Sequence, residues 1–206
     1  MTNLSSYHLA QNTAVYGLVL TGGKSSRMGT DKALLSYHGE SQQKVMYDLA
    51  RKICPRAFIS LRSDQQKDLP SEMETILDRN EFAGPFNGIL SAHATHPRIA
   101  WLVLACDLPL MDLDTLKKLL DSRDPSKDAT ALATKVSGLP EPLAAIWEPA
   151  GLAKAREYLN TANSSCPRKF LLNSDINLVF AENDQVLANA NSMEDYKRIK
   201  EVLDSK

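Results

Sequence analysis

Two unbroken apolar runs constrain this chain more than any other feature. VYGLVL at Val15–Leu20 and WLVLA at residues 101–105 show no alternation of polar and apolar positions. A strand of that kind must be covered on both faces, the condition of an inner strand in a parallel sheet layered between helices. Around these runs, short apolar stretches alternate with segments of helical period, the pattern of an α/β domain. Residues 57–61 and 75–77 predict two further strands. Val45, Met46, Leu49, Ala50 and Ile53 recur at helical spacing from Ser41 to a stop at Pro55. Pro85 suits the first turn of a second helix running to Thr95. Leu113, Leu116, Leu119 and Leu120 mark a third, and a fourth runs from Pro149 through Leu159. Residues 129–134 and 143–147 predict strands. A last helix starts at Ser192 with Asp195 as its capping-box partner and Tyr196, Ile199, Val202 and Leu203 on its apolar face. The expected fold is a three-layer α/β domain with a mostly parallel, Rossmann-like sheet. It is expected to occupy residues 15–206 as a single domain, behind an N-terminal extension over residues 1–14.

Charge narrows the partners. The chain of 206 residues carries 24 Lys and Arg against 25 Asp and Glu, a net charge of −1. That balance argues against nucleic acid and anionic membranes, which select a basic excess. No apolar run approaches the ~20 residues needed to span a bilayer. The N-terminal stretch MTNLSSYHLAQNTA has neither the basic start nor the apolar stretch of a secretory signal. Cys54, Cys106 and Cys166 are odd in number and in no metal-ligand spacing, so reduced thiols and a cytoplasmic setting are expected. His93 and His96 read as a solvated pair rather than a metal site.

Chemistry concentrates in LTGGKSSRMGTDKALL, residues 20–35, directly after the first strand. Open parallel sheets bind ligands at the carboxyl ends of their strands, so a site belongs here. Gly22, Gly23 and Gly29 let backbone amides close on an anion. Lys24, Arg27 and Lys32 add three cations in a protein that is slightly acidic overall. Such a loop suits a triphosphate. It is not a P-loop of the kinase or ATPase type. Gly23-Lys24-Ser25 supplies that motif's end, but its first glycine would fall at Leu18, and Gly17 misses by one residue.

The run at residues 101–105 leads into Cys106-Asp107-Leu108-Pro109, which puts Asp107 at the carboxyl end of a central strand on the same edge. A carboxylate there can hold Mg2+, a cation that keeps several waters and completes its shell with substrate phosphates. Asp78, after the short strand at residues 75–77, is a second candidate.

Taken together, Leu20-Thr21-Gly22-Gly23, Ser26-Arg27-Met28-Gly29 and Asp31-Lys32-Ala33 resemble the signature of molybdenum cofactor guanylyltransferases. The resemblance continues through Asp78, Gly84-Pro85, Gly88-Ile89-Leu90, Cys106-Asp107-Leu108-Pro109, Glu141-Pro142-Leu143, Asn189-Ala190-Asn191 and Glu194-Asp195-Tyr196. It implies transfer of GMP from GTP to the terminal phosphate of molybdopterin with release of pyrophosphate. It implies that Leu20, Thr21, Gly22 and Gly23 line the nucleotide pocket, Lys32 contacts the α-phosphate and Asp78 helps bind the guanosine. Asp107 is the implied Mg2+ ligand, and Asn189 and Asn191 fall on the acceptor side. Lys32, Arg27 and Asp107 are the expected catalytic residues, with Mg2+ as cofactor. A molybdenum-inserting protein is an implied partner.

The chain departs from the family pattern in places. Glu40-Ser41-Gln42-Gln43 replaces a small-Pro-apolar step, and Phe86-Asn87 is an unusual centre for its motif. Ser192-Met193 follows the late Asn-x-Asn where a Thr-Pro pair is typical. For a polar residue at the end of the strand at residues 57–61, Ser60, Leu61 and Arg62 stay open. The segment Cys166-Pro167-Arg168-Lys169-Phe170 reads as a solvated helix start rather than as contacts to an anionic acceptor. Two alternatives stand beside the guanylyl reading: a CTP-dependent cytidylyltransferase on molybdopterin or another small phosphate, and a non-catalytic nucleotide-binding module. The pair Asp31-Lys32 favours GTP over CTP by the same resemblance.

Overall fold

A computed structural model describes residues 13–21, 40–62, 65, 72–161, 164–190 and 192–204. Seven strands form one sheet: β1 (Val15–Leu20), β2 (Ala57–Leu61), β3 (Thr75–Leu77), β4 (Ala100–Ala105), β5 (Ala129–Ala133), β6 (Pro140–Trp147) and β7 (Ile176–Phe180), in the order β3-β2-β1-β4-β6-β5-β7. The helices are α1 (Gln42–Ile53), α2 (Pro85–Thr95), α3 (Leu113–Asp121), α4 (Pro149–Thr161), α5 (Pro167–Leu171) and α6 (Met193–Asp204), with a 3-10 turn at Asp184–Leu187. The two apolar runs lie side by side at the centre, as their composition requires. β1 pairs parallel with β4 from Val15↔Ala100 to Leu20↔Ala105, and every residue of β4 is buried.

Each face of the sheet has its own core. On one, α1 and α3 pack Met46, Ala50, Leu116 and Leu119 against Val19, Ile59, Leu102 and Leu104. On the other, α2, α4 and α5 pack Phe86, Ile89, Leu152 and Phe170 against Leu18, Phe58, Trp101 and Val103. The approach of α1 to β1 depends on Gly17, where a Cβ would stand 2.7 Å from the Ala50 Cβ. Three layers result, with strands β1 to β4 parallel.

Two features go beyond the expected pattern. β6 is antiparallel to both β4 and β5, so the sheet reverses beside its centre. It also begins at Pro140, earlier than the expected residue 143. The pairing with β5 shifts between Ala131 and Ala133, and Pro142, which has no N–H to donate, falls in that interruption. β7 adds a parallel edge strand beyond β5.

Of the expected N-terminal extension only Thr13 and Ala14 are described, and both are held. The Ala14 carbonyl accepts from Ala100 N at 3.1 Å, and the Thr13 carbonyl accepts from Arg123 Nη1 at 2.7 Å. Arg123 also pairs bidentately with Glu148, at 2.7 and 2.8 Å, with their side chains only 11% and 3% exposed. Removing one member would strand a buried charge, at a cost of about 3–5 kcal/mol. His93 and His96 are not a solvated pair. His96 packs among Tyr16, Phe58 and Trp101, and His93 is half-buried, which lowers its pKa, helped by the nearby Arg156.

Candidate active site at the carboxyl edge of the sheet

Because β1 to β4 run in one direction, their last residues meet along one edge, and short links tie them together. Cys106 N donates to the Leu20 carbonyl at 3.3 Å, fastening the end of β4 to the end of β1. Thr21 Oγ1 donates to the Ser60 carbonyl at 2.9 Å, fastening β1 to β2. Ser60 Oγ donates to Asp78 Oδ1 at 2.5 Å, and Asp78 N donates to the Leu61 carbonyl at 2.8 Å, which brings in β3. Thr21 and Ser60 are each 3% exposed, so these bonds form away from bulk water. Leu20, Thr21 and Asp78 thus stand together at the carboxyl ends of β1 and β3.

Asp107 lies just beyond β4 and is partly exposed. Its carbonyl accepts from Ala190 N at 2.9 Å, which carries the exposed Asn189 to the carboxylate-bearing strand end. Sequence alone separates these residues widely; the backbone bond joins them. Ala190 also packs with Leu110 and Ile199, so α6 anchors the late segment. At the head of α6, Ser192 and Asp195 form the expected capping box, with Asp195 N donating to Ser192 Oγ at 3.1 Å and Ser192 N donating to Asp195 Oδ2 at 3.1 Å. Gly22, Gly23, Lys24, Arg27, Asp31, Lys32 and Asn191 lie outside the described residues.

The loop after Asp78 is held by α2. Arg79 N donates to Ser91 Oγ at 2.9 Å, and Phe82 N donates to Asn87 Oδ1 at 3.5 Å. The unusual Phe86-Asn87 centre therefore has a structural use. Asn87 secures the loop, while Phe86 enters the core edge-on to Trp147 at 5.8 Å and Phe170 at 6.1 Å. In the segment around Arg168, α5 does start at Pro167. Arg168 Nη2 meets Glu141 Oε2 at 2.5 Å while its Nε donates to the Pro140 carbonyl at 3.0 Å, so this guanidinium fixes the start of β6. Among the three open choices at the end of β2, Ser60 is the inward polar residue. Its signal in sequence is weak because Leu61 and Arg62 beside it are equally near the edge.

Among the described residues no group of three His, Cys, Asp or Glu side chains gathers to cage a metal. The carboxylates at this edge are Asp107 and Asp78, and Oδ1 of Asp78 is taken by Ser60. No helix among the described residues is long and apolar enough to cross a membrane.

A Synechocystis sp. protein named molybdenum cofactor biosynthesis bifunctional protein is 39% identical over 188 residues, covering 91% of this chain. The chain spans 54% of that relative's length. A Pseudomonas fluorescens molybdenum cofactor guanylyltransferase is 30% identical over 180 residues, covering 86% of this chain and 89% of the relative. The fold is shared with the crystal structure of molybdopterin-guanine dinucleotide biosynthesis protein A from Archaeoglobus fulgidus. The TM-score is 0.75 at 21% identity, over 93% of this chain and 100% of that one. Residues 17–176, from the first central strand to the start of β7, match the MobA-like NTP transferase domain, and the chain belongs to that family.

Proposed function

We propose that this protein is a Mg2+-dependent guanylyltransferase that moves GMP from GTP onto the terminal phosphate of molybdopterin and releases pyrophosphate. The observation that carries the reading is the meeting, at one sheet edge, of Thr21, Asp78 and Asp107 with the returning backbone of Asn189 and Ala190. The cationic segment with Lys24, Arg27 and Lys32 follows Thr21 closely in the sequence. The guanylyltransferase name of the Pseudomonas relative, matched over most of its length, supports the same choice of nucleotide.

In this reading Leu20, Thr21, Gly22 and Gly23 line the nucleotide pocket and Asp78 holds the guanosine. Lys32 contacts the α-phosphate, and Arg27 offsets charge on the leaving pyrophosphate. Asn189 and Asn191 face the acceptor. Asp107 holds Mg2+, which when bound neutralises phosphate charge. The acceptor phosphate attacks the α-phosphorus in line as the bond to pyrophosphate breaks. An ionised phosphate needs no general base, so the protein contributes positioning and charge neutralisation. Loss of one preorganised contact to the developing charge is worth roughly 3–4 kcal/mol of transition-state stabilisation. A cytoplasmic setting, with hand-over of product to a molybdenum-inserting protein, completes the proposal, and the three cysteine thiols suit a reducing compartment.

The test is pyrophosphate release from GTP or CTP with Mg2+ and molybdopterin, comparing the wild-type protein with Asp107→Ala. The expected result is release from GTP that is lost in the variant. Release from CTP alone overturns the guanylyl assignment, and binding of GTP without release overturns the enzyme.

A further inference from the structure

We infer that Ser60 is a positioning residue that orients the Asp78 carboxylate toward the nucleoside. The inference rests on the reading of Asp78 as a nucleoside contact and assigns how that contact is aimed. Ser60 sits fourth in β2, paired to Leu20 on one side and Ile76 on the other, so its backbone is fixed by both neighbouring strands. Thr21 Oγ1 adds a third hold by donating to its carbonyl at 2.9 Å. Above it lies α2, pressed so close at Gly88 that a Cβ there would stand 2.3 Å from Ser60 Oγ and 2.8 Å from Leu20 Cδ2. The helix therefore roofs the hydroxyl.

In that enclosure the hydroxyl donates to Asp78 Oδ1 at 2.5 Å. A short hydroxyl-to-carboxylate bond is charge-assisted, about twice as strong as a neutral one, and directional. It fixes the plane of the carboxylate by one oxygen, while the backbone N–H of Asp78 holds the residue to Leu61 at 2.8 Å. Oδ2 is the oxygen left to meet the ligand. Asp78 stays partly exposed while Ser60 is 3% exposed, which separates the residue that touches from the residue that aims. A ligand bonding the aimed carboxylate is spared the ordering of that side chain, which is how preorganisation raises affinity.

The experiment is a double-mutant cycle on Ser60→Ala and Asp78→Ala, read by calorimetric Kd for GTP and for inorganic tripolyphosphate, both with Mg2+, alongside thermal melts. Ser60→Ala is expected to weaken GTP roughly tenfold, the scale of one lost bond to a charged group. Tripolyphosphate, which has no nucleoside, should bind as before. In the Asp78→Ala background the Ser60 change should have no further effect on GTP. Equal weakening of GTP and tripolyphosphate overturns the inference and makes Ser60 a structural residue of the whole edge. Full additivity of the two changes also overturns it, because Ser60 would then act without Asp78. If Asp78→Ala alone leaves GTP binding intact, the role given to Asp78 has failed, which is distinct from a failure of Ser60 to act through it.

Discussion

The same strands end very differently at their two edges. At the amino edge, the rings of Tyr16, Phe58 and Trp101, the second residues of β1, β2 and β4, pack tilted or edge-on with centroids 5.6–6.0 Å apart. His96 joins them, and the Arg56 guanidinium lies 4.7 Å over Phe58 and pairs with Glu74. At the carboxyl edge the strands finish in Thr21, Ser60, Asp78 and Asp107, a chain of hydroxyls and carboxylates. Ring packing closes one edge and makes it a stability element. The polar edge keeps groups poised for a ligand. In an open α/β sheet this asymmetry follows from chain direction, since the loops at the carboxyl ends are free to vary while the amino ends are drawn together by the returning helices.

The contrast breaks most severely at Trp101, which is fully buried. Trp101→Ala should cost about 3–5 kcal/mol in urea unfolding, while GTP affinity per folded molecule stays unchanged. A folded variant that has lost GTP would show that the two edges are not separable. The opposite signature is expected at Asp107. Asp107→Asn should lower kcat by at least ~100-fold, with far-ultraviolet circular dichroism retained; loss of fold in place of turnover would make it a structural residue. Gln42, at the head of α1, is 0% exposed, and neither of its side-chain polar atoms has a hydrogen bond among the described residues. Gln42→Leu should therefore raise stability by about 1–2 kcal/mol, and an unchanged or lower denaturation midpoint would contradict that.

The smallest effect is a pH dependence at the closed edge. The Arg56 hydrogen bond holds the Glu74 carboxyl below its ordinary value, against a smaller opposing push from burial. A carboxylate depressed in the folded state stabilises above its unfolded pKa, and that contribution is lost as pH falls through the folded value. The wild-type protein should thus lose stability below the ordinary carboxylate range more steeply than Glu74→Gln. Parallel acid limbs in the two proteins would remove Glu74 from the account.

What the sequence made legible were features written locally. β1 and β4 announce themselves by unbroken apolar composition, α1 by its spacing, and the head of α6 by Ser192 and Asp195. Asp107 could be placed because it directly follows a buried strand. What stayed illegible depends on partners far along the chain. The antiparallel insertion of β6 is fixed by its pairing with β4, and two prolines obscure its start. β7 is an edge strand, with its side chains mostly half-exposed, so its apolar signal is diluted by Asn177. Ser60 could not be chosen over Leu61 and Arg62 until Gly88 and Asp78 were seen on either side of it. Arg168 reads as a spare cation until Glu141 is found beside it.

The bond from Ala190 N to the Asp107 carbonyl also sets an order of manufacture. A ribosome delivers Thr21, Ser60, Asp78 and Asp107 well before it delivers residues 188–190, and domains fold as units. The strand that carries Asp107 also needs β6 as its neighbour, so the sheet at that edge is completed only after residue 147 has been made. A nascent chain stalled beyond β4 would carry the carboxylates without their late neighbour, and proteolytic nicking near residues 181–183, where Glu182 and Asn183 are exposed, would leave the two joined only by non-covalent contacts in the finished protein.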